Sequence, residues 1–336
     1  MKQAVLNLLA SGGAFAPFRK ANRHKALILM YHRFSQGDDA FSTSARAFRH
    51  QLEYLRAHYT LTTVSQLARH FRDGEEVPSS LAAITIDDGF SDAYQIALPL
   101  LKQHGVPATV FVVTDFVDQK SWIWTDKARF LTFQTRVEKL KMSVAGQAFE
   151  FNLNGPSSRS EAAARINERL KQLDDNVKDE ALASMAAALK ITIPDLPPKE
   201  YGPLTWKQAR EMHNNGVEIA SHTLTHPILT NISDERLRTE LQQSRRRVAE
   251  MIGHDSGAFC YPNGNYDGRV TREVERAGYQ CAVSTEPGLN SKETNLFSLK
   301  RIPAISDLAR FVKASSGFEL AQVRLRSNSP RSRRVE

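Results

Sequence analysis

Seven short apolar runs, rich in β-branched residues, punctuate the chain: ALILMYH (26–32), LAAITIDDG (81–89), VPATVFVV (106–113), VEIASH (217–222), AFCYP (258–262), CAVST (281–285) and RIPAI (301–305). Their shortness and continuity fit strands buried on both faces. Between most of them lie amphipathic stretches of helical length, among them SARAFRHQLEYLRAH (44–58), FSDAYQIALPLLKQH (90–104) and SDERLRTELQQSRRRVAEMIG (233–253). This alternation predicts an α/β fold with a mostly parallel sheet. Thr205 and Gln208 form a capping-box pattern, and Asn215-Gly216 stops the helix that follows it. The rhythm fails over residues 115–204, where the aromatic patch WIWTDKARFL (122–131) precedes two helical patterns at 160–173 and 179–190. That segment reads as a helical insertion on a barrel-like core.

The chain has 336 residues, 41% of them hydrophobic, enough for a sizeable core, which excludes a disordered or fibrous protein. Two cysteines, Cys260 and Cys281, are too few for a disulfide framework and suggest a reducing compartment. The net charge of +8 raises the question of nucleic acid, but five arginines and one glutamate lie within 324–336, so half of that excess sits in a Ser/Pro/Arg-rich tail expected not to fold. A solubilising end explains such a tail, and contact with anionic lipid or polymer is the alternative. No nucleic-acid partner is expected. No run is long enough to cross a membrane. The first residues carry Lys2 and a short apolar stretch, but Asn7, Gly12-Gly13 and Pro17 spoil the signal-peptide pattern. Val5, Leu8 and Leu9 can instead share one face of a short interfacial helix.

Candidate chemistry gathers at the strand ends. Asp87, Asp88 and Gly89 close a buried strand, and two adjacent carboxylates repel unless a cation or an arginine compensates them; a helix-capping role for Asp88 explains the stretch equally well. His222 and His226, spaced i and i+4 at the end of another strand, can converge on one cation. Two histidines and an aspartate leave a coordination position open, as in catalytic zinc sites.

TIDDG (85–89), SHTLTH (221–226) and YPNGNYD (261–267) occur in the order of the polysaccharide deacetylases, carbohydrate esterase family four, which the sequence resembles over residues 25–305 apart from the insertion. The resemblance implies a distorted, incomplete (β/α) barrel of about seven parallel strands. It makes Asp87 the general base and Asp88, His222 and His226 the ligands of a divalent metal, zinc first, with cobalt, nickel or iron as alternatives. It also makes the Tyr261 amide a donor to the developing oxyanion. Two positions depart from the pattern: Cys260 stands where the family has an arginine that orients the base, and no histidine follows His254.

Because some members carry their motifs in permuted order, His32 at the end of the first strand becomes the candidate general acid. Arg301 becomes the candidate partner for Asp87, with Arg33 the alternative; His32 and Arg301 are otherwise ordinary strand-end residues. Trp122 and Trp124 either stack on sugar rings or anchor the insertion; Pro262 is placed with them as a substrate contact, and Asn263 reads as a turn residue. Cys260 reads as a small buried hydrophobe. The expected organisation is an N-terminal extension (1–24), a barrel (25–310) and a basic tail (311–336). The expected activity is metal-dependent removal of N-acetyl groups from an amino-sugar polymer or glycoconjugate. A catalytically silent glycan binder is the alternative that the two departures motivate. The cytoplasm, with peripheral contact at the membrane surface, is the expected location, and export the alternative.

Overall fold

Every one of the seven apolar runs forms a strand in the computed structural model, which describes residues 2–39, 41–73, 78–144 and 146–319. Across the sheet the strands follow the order Cys281–Val283, Ala258–Cys260, Val217–Ser221, Ala108–Val112, Leu81–Ile86, Leu27–Tyr31 and Ile302–Pro303, all parallel. An eighth strand, Thr60–Thr62, pairs with the lower half of Leu81–Ile86. The sheet curls until its two ends meet. There Leu299 donates to the Ala282 carbonyl (2.9 Å), Ser284 to Leu299 (2.8 Å) and Arg301 to Glu286 (3.0 Å). A handful of bonds along this seam joins the last strand to Cys281–Val283, so the barrel is distorted and incomplete, as expected.

Alternation along each strand divides the core. Leu27, Leu29, Ile84 and Val110 pack with Phe48, Leu52, Leu101 and Met212 of the outer helices, whereas Ile28, Ala83, Phe111, Ala220 and Cys260 meet Val64, Leu67 and Phe71 of helix Val64–Arg72 on the other face. All these side chains are buried, and burial of that kind supplies the main driving force for the fold. Helix Trp206–Asn214 makes both bonds of its capping box. The helical stretch at 90–104 is interrupted: Ala93–Ala97 takes wider π turns just before Pro99, which has no N–H to donate.

The insertion has its own core, in which Trp122, Leu131, Leu140, Phe151, Ile166 and Met185 pack together. Besides helices Trp124–Gln134, Pro156–Leu170 and Asp175–Leu189 it contains an antiparallel hairpin, Lys139–Val144 with Gln147–Asn152, so it is not purely helical. At the chain ends, residues 1–24 hold two helices, Lys2–Ser11 and Ala16–Ala21. The tail boundary drawn at 311 falls inside helix Leu308–Ser315, and the basic stretch 324–336 lies outside the described residues.

Candidate active site

The strand Leu81–Ile86 delivers its two aspartates in divergent directions. The Asp87 amide continues the sheet by donating to Tyr31 O (2.9 Å), and the chain then turns sharply through left-handed Asp88 (φ +78°) and Gly89 (φ +83°). A Cβ at Gly89 would stand 3.0 Å from Val112 Cγ1, so glycine answers both the backbone angle and the close approach. Asp88, Thr223, His226 and Asn263 all hold positive φ at this mouth of the barrel, a concentration of unfavourable backbone typical of functional sites.

Asp88 meets both histidines: its Oδ1 lies 3.5 Å from His222 Nε2 and 3.6 Å from His226 Nε2. The three donor atoms fall within 4.8 Å of one another and all three residues are buried. His222 Nδ1 donates to the Cys260 carbonyl (2.8 Å), which fixes the ring and turns Nε2 toward Asp88. Burial and the neighbouring His222 push His226 down to about 3, leaving a neutral imidazole with a lone pair to give. Burial by itself would lower His222 as well, but the Cys260 group, Asp88 and Asp87 raise it well above the usual histidine value. Burial likewise opposes the charge on Asp88, yet the two histidines hold its pKa low. Two imidazole nitrogens and a carboxylate oxygen, buried and facing one another, are the donor types a divalent cation takes, so this set fits such an ion chemically. A second cluster, Asp87, His222 and Cys260, does not fit one: the Arg301 guanidinium sits 3.3 Å from the Cys260 sulfur, and burial raises the thiol pKa.

Arg301 is fully buried and donates from Nη1 to Asp87 Oδ1 at 2.7 Å. It also donates to Thr85 Oγ1 (3.0 Å) and, through Nε, to the Ser284 carbonyl (2.7 Å). Arg301 precedes the Ile302–Leu29 pair of the last strand, so the arginine reaches Asp87 from the seam of the barrel. Burial pushes Asp87 up, but Arg301, His32 and His222 together hold its carboxyl below the usual aspartate value. His32 Nε2 stands 3.7 Å from Asp87 Oδ2, and its side chain is 47% exposed, facing whatever enters the mouth. Arg33 points elsewhere, donating to Asp92 Oδ2 (2.6 Å) and to the Glu200 carbonyl (2.6 Å).

Three sequence-based assignments need correction. The Tyr261 amide donates to Val283 O (3.2 Å) as part of the sheet and is not free to serve an oxyanion. Trp122 is buried against Phe130 and Tyr201, so it anchors the insertion and offers no face to a sugar. Pro262 is buried as well, and left-handed Asn263 borders the site instead. Trp124 does border it, but is 4% exposed and donates from Nε1 to the His226 carbonyl (3.1 Å), bracing the ligand loop from the insertion.

Glu240 was not anticipated. Its carboxylate accepts from the Leu224 and Thr225 amides, both at 2.9 Å, and so holds the 222–226 loop. Its signal lies in helix Asp234–Ile252, where an acid sits in the buried stripe Leu237, Glu240, Leu241, Ser244.

The hollow over Asp87, Asp88, His222 and His226 measures about 180 Å³. His32 also borders a second hollow of about 260 Å³, which shares Arg33, Asp39, Phe41 and Ser42 with a third of about 210 Å³ closed by Arg129, Phe133 and Tyr201 of the insertion. A groove therefore leads from the site toward the insertion.

Chemistry at the carboxyl ends of a curled parallel sheet, with a buried carboxylate beside a cation-ready donor set, defines a barrel hydrolase. The chain belongs to the polysaccharide deacetylase family, whose model matches residues 74–282. It is 22% identical over 279 residues to YxkH, a candidate polysaccharide deacetylase of Bacillus subtilis, covering 83% of this chain and 71% of that protein. A poly-β-1,6-N-acetyl-D-glucosamine N-deacetylase of Staphylococcus epidermidis is 26% identical over 114 residues, 29% of this chain and 39% of that protein. Among solved structures, the Streptococcus pyogenes deacetylase PplD in complex with acetate matches with a TM-score of 0.59 at 19% identity, over 87% of this chain and 98% of that one, which establishes the shared fold.

Proposed function

We propose that the protein is a divalent-cation-dependent N-deacetylase of an amino-sugar polymer, releasing acetate and a free amine. The observation that carries this reading is the pairing of Asp88, His222 and His226 with the Arg301-held Asp87 in one hollow. Zinc suits two imidazoles and a carboxylate best, with cobalt, nickel or iron able to use the same set. When bound, the ion would polarise the acetamide carbonyl and make water a better nucleophile at neutral pH.

The remaining work belongs to the side chains. Asp87, kept ionised by Arg301, accepts the proton of the attacking water. His32, on the exposed side of Asp87, supplies the proton that the departing amine needs. Two contacts weigh against a catalytically silent protein: Arg301 donates to Asp87 although position 260 is a cysteine, and His32 stands 3.7 Å from the same carboxylate. The groove past Arg33 and Phe41 favours an extended glycan over a single sugar. The relative acting on poly-β-1,6-N-acetyl-D-glucosamine supports an N-acetylated hexosamine chain.

Bound transition metal per chain, compared between wild type and His226→Ala, tests this without a guess at the sugar. About one equivalent, lost in the variant and falling off as pH drops and protons compete for the imidazoles, is expected, together with acetate release that a chelator abolishes. Absence of metal from the wild type after reconstitution with zinc or cobalt would overturn it.

A further inference from the structure

Arg129 makes no hydrogen bond among the described residues. It extends from helix Trp124–Gln134 of the insertion with its side chain 22% exposed, and the one carboxylate within ion-pair range, Asp126, has its Oδ1 4.0 Å from Nη1, too far to accept a hydrogen bond. The guanidinium lies over the Phe41 ring instead, 3.7 Å from its centre. None of its nitrogens is sealed in the core, so a planar fork of donors stands open at the hollow of about 210 Å³ that Arg129 borders. Largely buried donors ordinarily find a partner, and the protein supplies none here.

Position along one helix relates this hollow to the chemistry. Thr125 borders the hollow over Asp87 and Asp88, whereas Arg129 and Phe133 border the second one, about 6 and 12 Å further along the axis. A group seated at Arg129 therefore belongs to another unit of the glycan than the one being hydrolysed. Phe133 sits one turn beyond Arg129 on the same side of the helix and meets Phe41 edge-on at 5.9 Å. The fork calls for an acceptor, and the rings beside it suit a methyl group.

Charge narrows the ligand further. A carboxylate or phosphate would meet the charges of Asp126, Asp39 and Glu200, and an ammonium would lie against the Arg129 guanidinium. Neither acid at the rim is set to receive that ammonium: the Asp39 carboxylate accepts from the Phe41 and Ser42 amides (2.7 and 2.8 Å), and Glu200 is exposed to water. A neutral carbonyl carrying a methyl group fits all three constraints.

We propose that Arg129 is a specificity residue that receives the acetamido carbonyl of a second N-acetylhexosamine unit, with the methyl group against Phe41 and Phe133; this rests on the deacetylase reading above. Each turnover releases acetate and leaves an ammonium where an acetamido group had been, and the fork rejects that ammonium. The enzyme thus discriminates against glycan it has already processed, and deacetylation slows before every unit is stripped.

The test is calorimetric titration of the zinc-loaded Asp87→Asn protein, which does not consume its ligand, with two β-1,6-linked glucosamine oligomers of equal length. One is fully N-acetylated, and the other carries a single N-acetyl group among free amines, so both can fill the hollow over Asp87. The fully acetylated oligomer is expected to bind at least tenfold more tightly. Adding Arg129→Met should cost that oligomer about ten- to hundredfold in affinity, the worth of a hydrogen bond to a charged group, and cost the amine-rich one little, so that the preference collapses. Arg129→Lys, which keeps the charge and loses the fork, should lose most of the preference too, and thermal melting verifies that both variants are folded. Equal binding of the two oligomers, no binding of either, a preference that survives in both folded variants, or tighter binding of a uronate-bearing oligomer would each overturn the proposal. An Arg129-dependent preference in a wild type that releases no acetate would overturn the deacetylase reading and leave this one standing.

Discussion

Replacing Arg301 by methionine keeps the length of the side chain and removes its charge, leaving Asp87, 2% exposed, with no guanidinium beside it. Breaking a buried ion pair by deleting one member typically destabilises by about 3–5 kcal/mol. The charge-assisted bond itself, at about 1.5–3 kcal/mol, corresponds to about 1–2 pH units on the carboxyl at 1.36 kcal/mol per unit. In the wild type the Asp87 pKa is depressed by folding, so its ionisation adds stability above about pH 4 and loses it as pH falls through the lower native value. In Arg301→Met the stability deficit should be largest near neutrality and shrink in acid, where Asp87 is protonated and needs no counter-charge. Urea denaturation at several pH values reads the first effect; kcat against pH reads the second, with the acid limb displaced upward by one to two units. Adding Cys260→Arg should move the limb back, because Cys260 Sγ is 3.6 Å from Asp87 Oδ2 and an arginine there has the reach. An unchanged acid limb in a folded single variant would refute the positioning role of Arg301.

Asp87→Asn should retain its metal and lose turnover by about 10²- to 10⁴-fold; normal turnover would remove Asp87 from the base role. His32→Ala should lose about 10²- to 10⁴-fold on an amide but little on an acetate ester with a good leaving group, a contrast that a merely structural histidine would not produce. Phe41→Ala should raise KM or lower kcat for N-acetylated oligomers while sparing a monomeric substrate, since Phe41, Arg33 and Arg129 line hollows beside the one over Asp87, Asp88, His222 and His226 and are not among its lining residues. Equal effects on both substrates would argue against the groove as a polymer track.

Much of the barrel was legible because parallel strands buried on both faces leave continuous apolar runs. Thr60–Thr62 left no such trace: at three residues and with two polar side chains it depends on its partner Leu81–Ile86. The hairpin in the insertion was readable and missed. Leu140 and Met142 alternate with polar residues before Ala145-Gly146, and Phe149 and Phe151 alternate after it, a period of two beside the helical periods that drew attention. The residues that meet in the hollow, Asp87, Asp88, His222, His226, His32 and Arg301, could be named from motif and strand-end position. The fate of the Tyr261 amide could not, because it depends on where Val283 ends in the neighbouring strand. Nor could the part played by Cys260, whose backbone carbonyl orients His222 while its side chain lies against Arg301, a division of labour that residue type does not encode.

The thin seam that closes the barrel carries a residue the chemistry needs. Asp87, Asp88, His222 and His226 all precede residue 227, whereas the guanidinium that holds Asp87 arrives only with the final strand. A chain cut or stalled before Arg301 would keep Asp88, His222 and His226 yet leave the Asp87 carboxylate without its counter-charge. On the proposed function, binding a cation and hydrolysing an acetamide are thus separable demands, and the second depends on the docking of the last strand.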